Sequence, residues 1–429
     1  MVGDSLTEVR GEALRRHRPE VSPWWVRPGL DIEDGRLTIA GRFADDLARE
    51  HGTPVYVYDL RRFAENARVL QGALSRAGLS YVVRFALKAN REPEVLAVLR
   101  ELGEPGSVDA VGIDVCSPGE VVHAVEHGWR PEEISFTGTN ISDRDLDVLL
   151  AAGPPPVHVN LDAVSQVGRY GRRAPGTRIG LRLNPGAGAG YHEGLAYSGD
   201  RPTKFGIGPD RLDEAFEVAH RHHLTIDTVH FHAGSGWFAD GLPAFEAALS
   251  RAVVMTRHLL DSGCPIEEVN VGGGLGRPAR DDEQLVDLDA YARVLADHLG
   301  PLGVRVACEP GDFIAKDGAV QLGEVVTVEQ RGDTVFVGLD LGWNVNCGYW
   351  PYRFLQEIVL CRDPAGARTE VVTVAGHINE AADIFAEDYP IPPVFEGDIV
   401  AILNAGGYFQ AMSSTHCLRP QAPALFLQR

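Results

Sequence analysis

From Pro54 onward, short apolar runs rich in β-branched residues alternate with longer stretches of helical period. The short runs fall at 55–58, 81–86, around Asp114, at 134–137, 157–160, 179–184, 228–232, 268–271 and 304–309. Helical patterns such as 62–77, 93–102 and 118–127 lie between them. Strands alternating with helices of this length predict βαβ units and a parallel sheet. About eight such strands over roughly 250 residues predict a (β/α)8 TIM-like barrel. After Pro310 the helical period fades, and 320–328, 333–337, 357–360, 370–374 and 398–403 read as strands between Gly, Pro and Asp turns. That is a C-terminal β-domain of sandwich or barrel type. The early strand at 36–41 is assigned to it, because the barrel has no place for it. The expected division is 1–50 as an N-terminal segment serving the β-domain, 51–309 as the barrel, and 310–429 as the β-domain.

Length agrees with two domains, since 429 residues exceed what one core usually holds. An apolar share of 44% and a charged share of 23% are ordinary for a globular enzyme. The net charge of −20 argues against nucleic acid and against an anionic membrane surface. No apolar run approaches the roughly 18–20 residues that span a bilayer. Residues 1–19 mix acidic and basic side chains without an apolar stretch, so no secretory signal is expected. Cys116, Cys264, Cys308, Cys347, Cys361 and Cys417 show no CxxC spacing, which predicts reduced thiols, no metal site and a cytoplasmic protein.

Candidate chemistry gathers at predicted strand ends, where barrels keep their active sites. Lys88 lies just after the apolar run 81–86. A partly desolvated lysine loses its proton more easily and can form a Schiff base with an aldehyde. The bland alternative is a stem packed on the barrel rim with its head in water. His232-Ala233-Gly234-Ser235-Gly236 ends another strand, and an imidazole there can stack on a ring while the hydroxyl binds an anion. Gly272-Gly273-Gly274-Leu275-Gly276 leaves backbone N–H groups open to a phosphate, or is a plain tight turn. It has neither P-loop nor dinucleotide spacing. Glu309, Asp114 and Arg182 each end a strand as well, and charges placed there need partners. A structural ion-pair network is the competing reading, and it leaves the glycine loop unexplained.

With these motifs the chain resembles the fold-type III pyridoxal-phosphate (PLP) decarboxylases, those of diaminopimelate more than those of ornithine. The matching segments are 85–90 around Lys88, 114–120, Lys204-Phe205-Gly206, 230–236, Gly272-Gly273-Gly274, Glu309-Pro310-Gly311, and Gly407-Tyr408 with Met412-Ser413-Ser414. They keep the family's order over about residues 50–429. The resemblance implies that Lys88 is the Schiff-base lysine, that Glu309 pairs with the pyridine nitrogen, and that His232 stacks on the ring. It implies that Ser235, Gly273, Gly274, the backbone from Glu309 through Gly311 to Asp312, and Tyr408 hold the phosphate. Asp114 would sit near Lys88, and Arg182 would support His232. It also implies a homodimer whose sites each borrow the partner's loop 376–383, with Glu380 and Asp383 meeting the substrate beside Tyr352 and Tyr408.

Two departures matter. The family's proton-donating cysteine in that loop is Asn379 here, and an amide is no practical acid. Lys88, His377, Cys347, Cys417 or water is then left to donate. The two arginines that read a distal carboxylate are replaced by Asp312 and Gly348, and bidentate arginine recognition is not replaced casually. Asp312 is a candidate for reading a cationic or hydroxyl group, or else it faces solvent. These losses lead us to expect decarboxylation of another amino acid, free or bound to a carrier protein, in secondary metabolism. Meso-diaminopimelate in lysine synthesis is the alternative, and an epimerase or a non-catalytic relative are others.

Overall fold

The computed structural model describes residues 23–153, 157–190, 203–348, 354 and 356–427. They form two compact units. One consists of Phe63–Arg277 and Gln284–Ile314, and the other takes in the rest.

The first unit is a closed barrel of eight parallel strands. In chain order they are Tyr81–Ala86, Val111–Val115, Ile134–Phe136, His158–Leu161, Arg178–Leu183, Thr225–Phe231, Glu268–Asn270 and Arg305–Cys308. The last pairs with the first and closes the ring. Along each strand the side chains alternate. Val83, Phe85, Ile113, Val115, Val229, Phe231 and Val269 are buried on one side. Arg84, Asp114, His230, Glu268 and Asn270 occupy the other, which is the barrel interior. That interior is largely polar and internally paired. Arg84 grips Glu268 with two hydrogen bonds of 2.6 and 3.0 Å, and Arg305 adds a third at 2.9 Å. Asn160 donates to Ser135 and Thr137 at 3.0 and 2.9 Å.

The second unit is built on a six-strand path, Ile358–Leu360, Ile399–Ile402, Ala319–Arg331, Thr334–Leu339, Glu370–Ala375 and Ile384–Ile391. The strand Val55–Asp59 pairs with Ala319–Arg331, and Ala424–Leu427 pairs with Val55–Asp59 in turn. This corrects one sequence reading. The run at 55–58 reads as the first barrel strand, but both its faces are buried in this β-unit. Val55 and Val57 pack with Leu37, Val320, Leu322 and Val359 in its core. The early strand is Arg36–Ile39, in the β-unit as expected. It pairs within its own three-stranded sheet, and Leu37 N–H donates to Cys361 O at 2.8 Å.

Candidate active site

Lys88 is placed by its neighbours. After strand Tyr81–Ala86 the chain makes one 3-10 turn, Leu87–Ala89, with Leu87 and Ala89 buried and Lys88 exposed. Asn90 ends the turn, and its Oδ1 accepts from Glu92 N–H at 2.9 Å. Asp114 pairs in register with Ala86, two residues before Lys88. Just beyond it, Ser117 caps the helix Pro118–Glu126, while Glu120 reaches back to Cys116 N–H at 2.6 Å. Part of the segment 114–120 therefore serves helix capping.

Arg182, His230 and Asn270 stand in one register row across three adjacent strands. Arg182 is buried over the Phe205 ring, with the guanidinium carbon 4.3 Å from its centroid. His232 lies one step further out, its Nε2 3.4 Å from Ser235 Oγ. Burial, helped by the charges of Lys88 and Arg182, pushes the His232 imidazole well below its ordinary value, so the ring is neutral. Glu309 comes directly after the last strand and is buried. It accepts from Asn270 Nδ2 at 2.6 Å and from His230 Nε2 at 3.1 Å.

Asp114 and Glu309 are coupled. Burial and the charge of Glu309 raise Asp114 well above the carboxylate range, while Lys88 pulls the other way. Burial also raises Glu309, but His230, Lys88 and Asn270 more than reverse this and hold it below its ordinary value. Burial thus favours the neutral form of Asp114, while the neighbours of Glu309 favour its ionised form.

The glycine turn joins three strand-end loops. A Cβ at Gly273 would overlap Glu309 O, and one at Gly274 would overlap Gly234 O. Trp237 N–H donates to Gly274 O at 3.0 Å, and Gly276 N–H donates to Trp237 O at 3.0 Å. The indole Nε1 of Trp237 is buried beside Gly274 and has no hydrogen-bond partner among the described residues. An unsatisfied buried donor costs about 1–3 kcal/mol, so it marks a place for an acceptor.

Asp312 is 6% exposed, so it does not face solvent. Its Oδ2 accepts from Arg277 N–H at 3.1 Å, and the Arg277 side chain donates to Phe313 O at 2.9 Å. Gly311 is buried beside it.

The remaining candidates belong to the other unit. Tyr408 has a left-handed φ of 67°. Asp383 ties the base of its loop, accepting from Ile378 N–H at 2.7 Å and Trp343 N–H at 2.8 Å. The tip, Asn379 and Glu380, is exposed, and Glu380 lies 3.7 Å from His416. Tyr352 lies outside the described residues. Sequence reasoning does not single out His230, Asn270 or Trp237. A signal exists for two of them, since His230 and Asn270 each stand two residues before a candidate position, His232 and Gly272.

Residues 60–316 match the family model for the pyridoxal binding domain of pyridoxal-dependent decarboxylases. The chain belongs to this family. The diaminopimelate decarboxylase of Methanothermobacter thermautotrophicus is 36% identical over 94% of this chain and 93% of its own length. That of Escherichia coli K12 is 31% identical over 88% of this chain and 89% of its own. The crystal structure of the Helicobacter pylori diaminopimelate decarboxylase with L-lysine superposes with a TM-score of 0.78. It is 25% identical and covers 90% of this chain and 94% of its own. As a pyridoxal-dependent decarboxylase the protein is a carboxy-lyase that uses PLP. The donor set fits that cofactor: an accessible lysine, a buried carboxylate at the end of the last strand, a neutral imidazole, and a glycine turn with an unsatisfied indole N–H. Among the described residues no cluster suits a metal ion, and no helix is long and apolar enough to cross a membrane.

Proposed function

We propose that this decarboxylase acts on an α-amino acid other than meso-diaminopimelate. The carrying observation is Gly348. A Cβ there would overlap the edge of the Phe409 ring, a side chain 1% exposed, so an arginine at that position would require Phe409 to move. Asp312, at the other arginine position, is buried and spends an oxygen on Arg277 N–H. A substrate with a cationic, hydroxyl-bearing or carrier-linked distal end suits these replacements, and specialised-metabolite assembly uses such amino acids.

In this reading Lys88 would hold the aldehyde carbon, Glu309 the ring nitrogen and His232 one ring face. Ser235, the turn at Gly273 and Gly274, Gly311 and the Trp237 indole would hold the phosphate. The bound cofactor supplies an electron sink for the pair left behind when CO2 departs. Glu309, ionised, would keep a proton on the ring nitrogen, and neutral His232 would pack on the ring without opposing its charge. Arg182 fixes the His232 side through its seat on Phe205. Asn379 supplies no proton, so protonation of the product carbon would fall to Lys88, His377, Cys347, Cys417 or water. We further propose a homodimer in which the exposed loop tip at Asn379 and Glu380 completes the partner's site.

A second reading, meso-diaminopimelate, is favoured by the full-length similarity to decarboxylases of that name. Mass spectrometry separates the two. The enzyme with PLP is incubated with meso-diaminopimelate, L- and D-lysine, ornithine, arginine, glutamate and their ω-substituted derivatives. Loss of CO2 from another member, with none from meso-diaminopimelate, is expected. Efficient turnover of meso-diaminopimelate overturns the proposal.

A further inference from the structure

The amide of Asn270 has only one possible orientation. Gly272 N–H donates to Asn270 Oδ1 at 2.9 Å, and a backbone N–H can only donate. The amide oxygen therefore faces Gly272 and the amide nitrogen faces Glu309, to which it donates at 2.6 Å. Glu309 N–H in turn donates to Gly272 O at 2.9 Å. One side chain, fully buried, thus ties the carboxylate to the glycine turn.

His230 holds the other carboxylate oxygen. It is 1% exposed, and its Nδ1 has no hydrogen-bond partner among the described residues. A doubly protonated ring would leave a buried N–H unsatisfied. The neutral tautomer with its proton on Nε2 leaves only a bare lone pair and donates to Glu309. Both oxygens of Glu309 are then fixed as acceptors, and the adjoining Asp114, with one oxygen unpartnered among the described residues, is not held this way.

We propose that Asn270 and His230 are positioning residues that make Glu309, and not Asp114, the charged and aimed carboxylate of the pair. Without them the negative charge is free to pass to Asp114 or to turn away from the ring nitrogen. Lys88 and Arg84 also bear on Glu309 through their charges. The inference rests on the assignment of Glu309 to the ring nitrogen.

The test is ¹⁵N NMR of each holoenzyme carrying PLP labelled at the pyridine nitrogen, whose shift reports protonation directly. Glu309→Gln is expected to move the signal to the unprotonated position. His230→Leu and Asn270→Leu are expected to move it the same way. Their kcat should fall on the order of 10- to 100-fold, as when outer-shell partners of metal ligands are removed, with KM little changed. His230→Gln keeps an N–H donor and should recover the wild-type shift. Asn270→Asp keeps the acceptor for Gly272, loses the donor, and serves if the leucine variant does not fold. A moved signal in Glu309→Gln beside wild-type signals in the His230 and Asn270 variants overturns the clamp alone. A wild-type signal in Glu309→Gln overturns the ring-nitrogen assignment itself.

Discussion

Single residues at the barrel mouth take their properties from burial before charge. Cys116 shows this. It sits two residues past Asp114 and is half-buried. Burial, with the negative charge of Glu120, pushes its thiol up to about 12. At pH 8 only about one molecule in ten thousand would carry the thiolate, the reactive form. Cys417 is exposed. Limited iodoacetamide treatment at pH 8, read by peptide mass spectrometry, should label Cys417 first and leave Cys116 intact; early labelling of Cys116 would contradict the assigned environment. The identity of Lys88, His232 and Glu309 as candidates is legible in the sequence because each ends an apolar run. The clamp on Glu309 is not, because a histidine and an asparagine inside strands look like incidental polar residues until register puts them in one row.

Among elements, the barrel strands show what alternation means when a barrel interior is polar. The outer positions feed the apolar layer under the helices. The inner ones must pair with one another, since an unpaired buried charge is costly. Arg84 and Glu268 are both nearly buried, and breaking such a pair costs about 3–5 kcal/mol. Burial alone would raise Glu268, but Arg84 and Arg305 reverse this and lower it from 4.5. Its ionised form therefore stabilises the barrel above about pH 4.5, and that contribution is lost as pH falls through the lower folded value. Urea unfolding of Arg84→Met should show a loss of about 2–4 kcal/mol at pH 7, because Arg305 keeps part of the pairing. The loss relative to wild type should shrink as pH falls below about 4.5. An equal loss at every pH would mean that Arg84 acts by packing alone. The run at 55–58 shows the limit of pattern reading. Its alternating Val and Tyr residues suit a β-strand in either setting, and the partner strands Ala319–Arg331 and Ala424–Leu427 place it in the β-unit.

For the whole molecule, the proposed dimer makes a complementation prediction. Lys88→Ala and Glu380→Ala homodimers should each be nearly inactive. Unfolding and refolding them together should restore about a quarter of wild-type activity, because half the dimers of a random mixture hold one intact site. No recovery, or full activity of Glu380→Ala alone, would refute a shared site. The sequence by itself determined the barrel, the β-domain and the chemical family, because hydrophobic period and strand-end motifs are local. It also exposed the missing cysteine and arginines, since a substitution is visible wherever a motif aligns. Tertiary structure decided which strand closes the barrel, which of two adjacent carboxyl groups receives two hydrogen bonds from buried side chains, and what crowds position 348. Those outcomes depend on residues far apart in the chain, such as Gly348 with Phe409 and Asn270 with Glu309, meeting at hydrogen-bond or van der Waals distance.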